Sequence, residues 1–177
     1  MRKLSTIFAR VGGGLILISA LMVFVDVLLR KLFATNLFES FELSGYGFAI
    51  AYTFSLAFAL LSKAHIRIDV IRGRFGPRWR GVLDVSAAFV IALVAIFFAY
   101  FAWRTTNKSF VVDARSFSQL GTPLAIPQFF WALGFSWFAI VASWLAASSL
   151  IALSRSDFPR VDRLAGMDEF DEPNHGP

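Results

Sequence analysis

The sequence predicts an all-α integral membrane protein with four transmembrane helices. Four long apolar runs follow one another, and each has the length of about 20 residues that a helix needs to cross a bilayer. Hydrophobic residues make up 57% of the chain and charged residues only 16%, well below the usual share in a soluble domain. The charges lie in the links and at the two ends, which is typical of a membrane protein and not of a nucleic-acid-binding face.

The membrane domain is expected over residues 1–155. Its spans are predicted at residues 11–33, 42–61, 82–103 and 127–153. The uncharged stretch over residues 116–154 is too long for one helix. Pro127 fits the first turn of a helix, so the fourth span begins there and the apolar stretch before it is a loop.

A basic segment over residues 62–80 separates the second and third spans. Ile68, Ile71 and Phe75 share one helical face, which indicates a short amphipathic helix lying in the membrane plane until Gly76-Pro77 ends it. The alternative is a solvated basic turn with no fixed shape. The side chains expected to anchor this segment to anionic lipid headgroups are Lys63, Arg67, Arg72, Arg74, Arg78, Trp79 and Arg80.

The distribution of Lys and Arg predicts the orientation of the chain. The N-terminus, the basic segment and the flank after the fourth span hold 12 of the 17 basic residues. Cytoplasmic loops are enriched in Lys and Arg, so both termini are expected in the cytoplasm. The tail over residues 156–177 carries three prolines and an acidic end, a composition typical of disorder.

Two spans carry small residues at every fourth position. In lipid, helices associate through close backbone contact, so these stripes are predicted to pack against another subunit. The alternative is that small residues are simply common in spans. The stripes are Gly47, Ala51, Ser55 and Ala59 in the second span, and Ala139, Ser143 and Ala147 in the fourth.

Asp26 is the one intramembrane carboxylate that the sequence marks as a functional candidate. A small exchanger could use such a group to bind a proton and a cation in turn. Arg30 follows one helical turn later, and this spacing favours a local ion pair instead.

Most other chemistry is excluded. The chain has no cysteine, and therefore no disulfide, zinc thiolate or iron–sulfur cluster. Its two histidines, His65 and His175, lie outside the spans, which excludes a haem held by two histidines. His65 and Asp69 are one turn apart but provide only two ligands, too few for a metal site. No nucleophile with a base is present, so we expect neither enzyme activity nor a cofactor.

The order of these features resembles the small membrane subunit of tripartite ATP-independent periplasmic (TRAP) transporters. The resemblance covers about residues 11–153. Where the family more often has an aromatic residue, Lys31 follows the arginine that closes the first span. The matching positions are Asp26, Arg30, Glu42, His65 and Asp69 of a His-Ile-Arg-Ile-Asp run, Pro123 and Pro127.

The resemblance implies a multi-pass protein of the bacterial inner membrane that works in a three-part importer. A periplasmic binding protein captures an organic anion, and a large membrane subunit moves it by an elevator motion coupled to a sodium gradient. The small subunit braces the large one and needs no cofactor of its own, and anionic lipids are expected to hold it. Arg30, Glu42 and the Ser116–Ile126 loop are expected to border the docking surface.

Two other functions stay open at this point. A self-sufficient four-span, proton-coupled exchanger would work through Asp26. An assembly factor without a role in the transport cycle would have the same sequence features as a brace.

Overall fold

Four long helices make up the described part of the fold. The computed structural model describes residues 1–33, 39–63 and 76–157, together with positions 161 and 164. Each helix is long and apolar enough to cross a membrane. Apart from one isolated bridge, the described residues contain no β-structure, so the predicted all-α fold with four helices of transmembrane length is confirmed. The helices are α1 (Arg2–Phe33), α2 (Ser40–Leu61), α3 (Pro77–Val111) and α4 (Ala125–Ser154).

The first and third helices are longer than the predicted spans. With 32 and 35 residues, α1 and α3 measure about 48 and 52 Å at a rise of about 1.5 Å per residue. A bilayer has a hydrocarbon core of about 30 Å, so these helices must tilt or extend beyond it.

The pair Gly76-Pro77 marks the helix boundary at which α3 begins. Gly76 is the N-cap of α3, and Pro77 lies in its first turn, where a missing N–H leaves no hydrogen bond unmade. The same pair can also end a helix that precedes it, so the prediction that it ends an in-plane helix stays a prediction, and Trp79 lies in α3. The predicted in-plane helix itself falls on residues 64–75, outside the described residues.

The helices stand in a single row in the order α1, α2, α4, α3. α1 packs against α2, α2 against α4, and α4 against α3. The two central helices are accordingly more buried: 33% of the most apolar stretch of α2 and 39% of that of α4 lie inside the structure, against 17% in α1 and 22% in α3. The row is bent at the start of α1, where Ser5 accepts a hydrogen bond from Trp137 Nε1 of α4 over 3.1 Å.

Small residues bring α1 and α2 together. A Cβ on Gly12 of α1 would lie 2.9 Å from the carbonyl oxygen of Ala51 and 3.2 Å from Ser55 Oγ. Ser19 of α1 in turn occupies the space that a Cβ on Gly47 would need. The stripe predicted on α2 is therefore a packing face, but it packs within the chain.

The contact between α2 and α4 also depends on a glycine. A Cβ on Gly134 would lie 2.6 Å from Thr53 Cβ and 3.0 Å from Phe54 Cδ1. Thr53 is itself buried, and its hydroxyl bonds to the carbonyl oxygens of Ala49 and Ile50 in its own helix. The two backbones can approach this closely only because position 134 has no side chain.

α3 packs on α4 through alanines and stacked aromatic rings. The rings of Phe98 and Phe135 stack at 5.4 Å, and Trp103 Nε1 donates a hydrogen bond of 2.8 Å to Ser136 Oγ. The alanines of α3 that are buried along this contact are Ala88, Ala92, Ala95 and Ala102.

The last described positions of the chain contact the helices. Val161 is buried beside Val85 and Ala152, and Leu164 packs against the central apolar cluster. Most of the tail predicted over residues 156–177 lies outside the described residues, so its disorder stays a prediction.

We predict that Gly134→Ala lowers the stability of the fold. The added methyl group clashes with Thr53, and overpacking of this kind costs about 1–3 kcal/mol. This loss exceeds the gain of up to about 1 kcal/mol that alanine brings to a helix. The measurement is thermal unfolding of the detergent-solubilised chain, followed by circular dichroism.

Gly13→Ala is the matched control, because nothing lies within 4 Å of a Cβ at that position. It should leave the unfolding midpoint unchanged or slightly raised. Equal midpoints for the two variants would show that the close approach of α2 and α4 does not limit stability.

Candidate docking surface

The two carboxylates named by the sequence, Asp26 and Glu42, lie at one end of the row. At this end α1 ends, α2 begins, and residues 112–124 connect α3 to α4. We call it the carboxylate end. The opposite end, where α2 and α4 end and α3 begins, carries Arg78 and Arg155, and we call it the basic end.

Asp26 holds the end of α1 to the start of α2. Arg30 Nη2 donates a hydrogen bond of 2.8 Å to Asp26 Oδ2, so the predicted local ion pair is present. Ser40 Oγ, from the first residue of α2, donates a second bond of 2.7 Å to the same oxygen. Asp26 is thereby buried and does not reach toward the membrane surface, while 58% of the Arg30 side chain stays exposed.

Glu42 holds the loop between α3 and α4. Tyr46 Oη, one turn along α2, donates a hydrogen bond of 2.7 Å to Glu42 Oε1. The side chains of Ser118, Ser116 and Thr122 supply further hydroxyl groups to the same carboxylate. Glu42 Oε2 is shielded from solvent, and it has no hydrogen-bond partner among the described residues.

The loop over residues 112–124 folds back on itself. The N–H of Ser116 donates to the carbonyl oxygen of Thr122, and the N–H of Leu124 donates to that of Ala114, both over 2.9 Å. These bonds resemble the closing rungs of a β-hairpin. The stretch predicted as an apolar loop over residues 116–126 is therefore an ordered turn, and its last two residues belong to α4.

The tip of the loop presents an aromatic ring. Phe117 is fully exposed, while Ser116 and Ser118 on either side of it point their hydroxyls inward and bond to each other over 2.9 Å. Gly121 closes the turn with a φ of +55°, a conformation that favours glycine. The loop can thus offer Phe117 to another protein while Glu42 holds its base.

The two prolines of the family pattern also lie at this end. Pro123 pairs with Arg115 in the isolated bridge, and Pro127 lies in the first turn of α4, as predicted from its position. The other family positions, His65 and Asp69, fall outside the described residues.

The predicted lipid-anchoring residues are divided between described and undescribed positions. At the basic end, Lys63 follows α2 directly, Arg78 and Trp79 are exposed, and Arg80 is half-buried. Arg67, Arg72 and Arg74 lie outside the described residues.

The small residues predicted to contact another subunit have different surroundings. Ala51 and Ala139 are buried inside the chain, and Gly47 and Ser55 face α1. For these residues the predicted contact with another subunit is corrected, because the neighbouring helix of the same chain already fills the space. Ala59 is half-buried, and Ser143 and Ala147 line a groove between α3 and α4.

Sequence reasoning missed three polar residues of the described structure. Ser40 and Ser118 act on the carboxylates from other segments of the chain, and serine in a loop or at a helix start is too common to stand out. Asp84 is a second buried carboxylate within a helix of transmembrane length, at the second turn of α3. An acidic residue just inside an apolar run was the available signal for it.

We predict that Glu42→Gln loosens the loop. The neutral amide is a weaker acceptor for the surrounding hydroxyls than the ionised carboxylate, which takes shorter and stronger hydrogen bonds. Amide hydrogen exchange at Ser116 and Gly121 should therefore accelerate by about tenfold. Hydrogen–deuterium exchange with mass spectrometry on the full chain measures this.

The control is Glu39→Gln, which removes a neighbouring charge at the N-cap of α2, where the side chain makes no capping hydrogen bond. Exchange in the loop should not change in this variant. If both variants exchange alike, Glu42 does not hold the loop.

Comparison with known proteins agrees with this architecture. The family described as "Tripartite ATP-independent periplasmic transporters, DctQ component" matches residues 19–153, the greater part of the chain. No curated protein and no solved structure matches the chain significantly. The match spans the Asp26 cluster, Glu42, the loop and most of α4, and the chain therefore belongs to the DctQ component family of TRAP transporters.

Proposed function

We propose that the chain is the small membrane subunit that braces the large subunit of a TRAP transporter. The transporter would take up an organic anion that a periplasmic binding protein delivers, and the large subunit would use the sodium gradient. The observation that carries this proposal is the single row of four helices. A row has two broad apolar faces, so one can lie against a partner while the other stays in lipid.

A brace must resist tilting while a neighbouring domain slides. Contacts at three levels along the helices hold the row together. They are the Asp26 cluster at the carboxylate end, the Gly134 contact near the middle of the row, and the contact of Val161 at the basic end. These contacts are of different chemical types and lie on different helix pairs. They support the view that the row moves as one body.

The basic end supplies the proposed anchor. Arg78 and Trp79 are exposed there, and the basic segment that precedes them in the chain adds further cations. Anionic headgroups of the cytoplasmic leaflet attract such a cluster by about 1 kcal/mol for each basic residue. This supports an inner-membrane protein with both termini in the cytoplasm and with the carboxylate end in the periplasm.

In that orientation the carboxylate end faces the binding protein. The exposed Phe117 and the half-exposed guanidinium of Arg30 offer an aromatic ring and a cation at the same end of the row. Arg30 is bonded to the buried carboxylate of Asp26, and the loop that carries Phe117 lies beside the half-buried Glu42. We propose this end as part of the docking surface, and Ala59 on α2 as part of the contact with the large subunit.

The alternative function is a self-sufficient, proton-coupled exchanger that works through Asp26. The observation in its favour is a buried carboxylate within a helix of transmembrane length. Its hydrogen bonds to Arg30 and Ser40 favour the structural role, because a proton carrier must exchange partners during each cycle.

Asp26→Asn separates the two functions. The amide oxygen of the new side chain can still accept from Ser40, so the brace should retain more than about half of the uptake, with a stability loss of about 1–3 kcal/mol from the lost charge pair. An exchanger would lose coupling entirely. Substrate uptake by cells that express the complete transporter is the measurement, with Asp113→Asn in the exposed turn as the control.

Anchoring is tested by replacing Arg67, Arg74 and Arg78 together with Gln. We expect co-purification of the large subunit in mild detergent and substrate uptake to fall by at least about tenfold, because three basic residues at about 1 kcal/mol each contribute about 3 kcal/mol. The matched control replaces Arg104 and Lys108, two exposed cations of α3 that lie outside the loop over residues 112–124. Unchanged uptake and co-purification in the first variant would refute the anchor. Solute transport by the isolated chain in vesicles would refute the brace itself.

A further inference from the structure

An open groove runs between α3 and α4. Its volume is about 600 Å³, within the range of small-molecule sites. The groove exists because α4 presents small side chains opposite large, half-exposed side chains of α3. The two helices contact each other on the buried side of these residues, and the space on the exposed side is empty. Its main lining residues are Phe89, Leu93 and Ile96 of α3 and Ser143, Ala147 and Leu150 of α4.

The length of the groove corresponds to one leaflet. From Ser86 to Ile96 it follows ten residues of α3, or about 15 Å at the helical rise. This is half of the hydrocarbon core of about 30 Å. Trp79 lies about 10 Å further toward the basic end and is 65% exposed, at the level where tryptophan is enriched beside the headgroups.

Two arginines lie beyond the basic end of the groove. Arg78 is about 12 Å from Ser86 along α3, and Arg155 follows Leu150 by about 8 Å at the end of α4. Both are exposed, and neither forms an ion pair within the part of the chain that the structure describes. An apolar channel that leads to a pair of cations is complementary to a molecule with an apolar chain and an anionic head.

We propose that this groove holds one acyl chain of an anionic phospholipid, with its phosphate bound by Arg78 and Arg155. The leaflet would be the cytoplasmic one, a point that rests on the orientation proposed above. Ser143 and Ala147 then serve as the floor of a lipid site and not as a contact for another subunit.

The first experiment is native mass spectrometry of the purified full chain. Wild-type protein in mild detergent is titrated with dioleoyl phosphatidylglycerol or dioleoyl phosphatidylcholine. We expect one phospholipid to be retained, with phosphatidylglycerol preferred. Ala147→Phe fills the groove and should weaken retention of both lipids by about tenfold. Arg78→Gln with Arg155→Gln should bring phosphatidylglycerol to the level of phosphatidylcholine.

Two matched variants serve as controls. Ala20→Phe places the same ring on the exposed side of α1, and Arg104→Gln removes an exposed cation from the other end of α3. Both should bind lipid as the wild type does. Retention that is unchanged in Ala147→Phe, or a phosphatidylglycerol preference that survives loss of both arginines, would overturn the proposal.

A second measurement does not depend on any variant folding. Unmodified chain in phosphatidylglycerol vesicles is cross-linked to a phospholipid that carries a photoreactive diazirine at mid-chain, and the labelled peptides are identified. We expect label on α3 near Leu93 and on α4 near Ala147. Uniform labelling of all lipid-facing helices would contradict a specific site. If the same experiment on the whole transporter leaves the peptides around Leu93 and Ala147 unlabelled, a partner subunit covers the groove and the lipid proposal is wrong.

Discussion

The close contact of Gly134 with Thr53 is the constraint on which the rest of the row depends. It lies where two helix pairs, α1 with α2 and α3 with α4, meet through the packing of α2 on α4. In water, burial of apolar surface would hold such pairs together, but lipid offers no comparable force. Dispersion contacts at short range must replace it, and they require that a side chain be missing where the two backbones meet.

The polar side chains act at the ends of the helices. Asp26 and Glu42 lie where helices end, so they connect segments that the packing of helices alone would leave loose. Ser40 joins α2 to α1, and Tyr46 fixes the carboxylate of Glu42 within α2. In an environment of low dielectric constant each of these hydrogen bonds gains strength, provided that both partners are present. Recognition by soluble partners can then be built on a loop whose base does not move.

Helix number and type followed from the sequence because hydropathy reports on each segment by itself. The end of α1 at Phe33 and the position of Pro127 in α4 also follow from local signals. The start of α3 at Pro77 did not, because proline either ends one helix or begins the next, and the choice depends on how the neighbouring segments pack.

The sequence could not predict which residues of different helices contact each other, and the reason is physical. The stripe around Ala51 and the groove at Ala147 have the same spacing of small residues, yet one is filled by α1 and the other is open. The alanines of α3 that are buried could not be distinguished, from the sequence alone, from the many other alanines of the chain. Periodicity identifies a face, and only the arrangement of helices decides what covers it. For the same reason Asp26 could be paired with Arg30 from spacing, while Ser40, from another helix, could not.

Four helices standing side by side act as a wall and not as a tube. Nothing in the described part of the chain closes the row into a ring, since α1 and α3 are its two free edges. Ions and water therefore find no lumen within it, and any permeation route has to run along a seam with a second protein. Expressed without companions, such a wall should leave a cell's membrane potential intact.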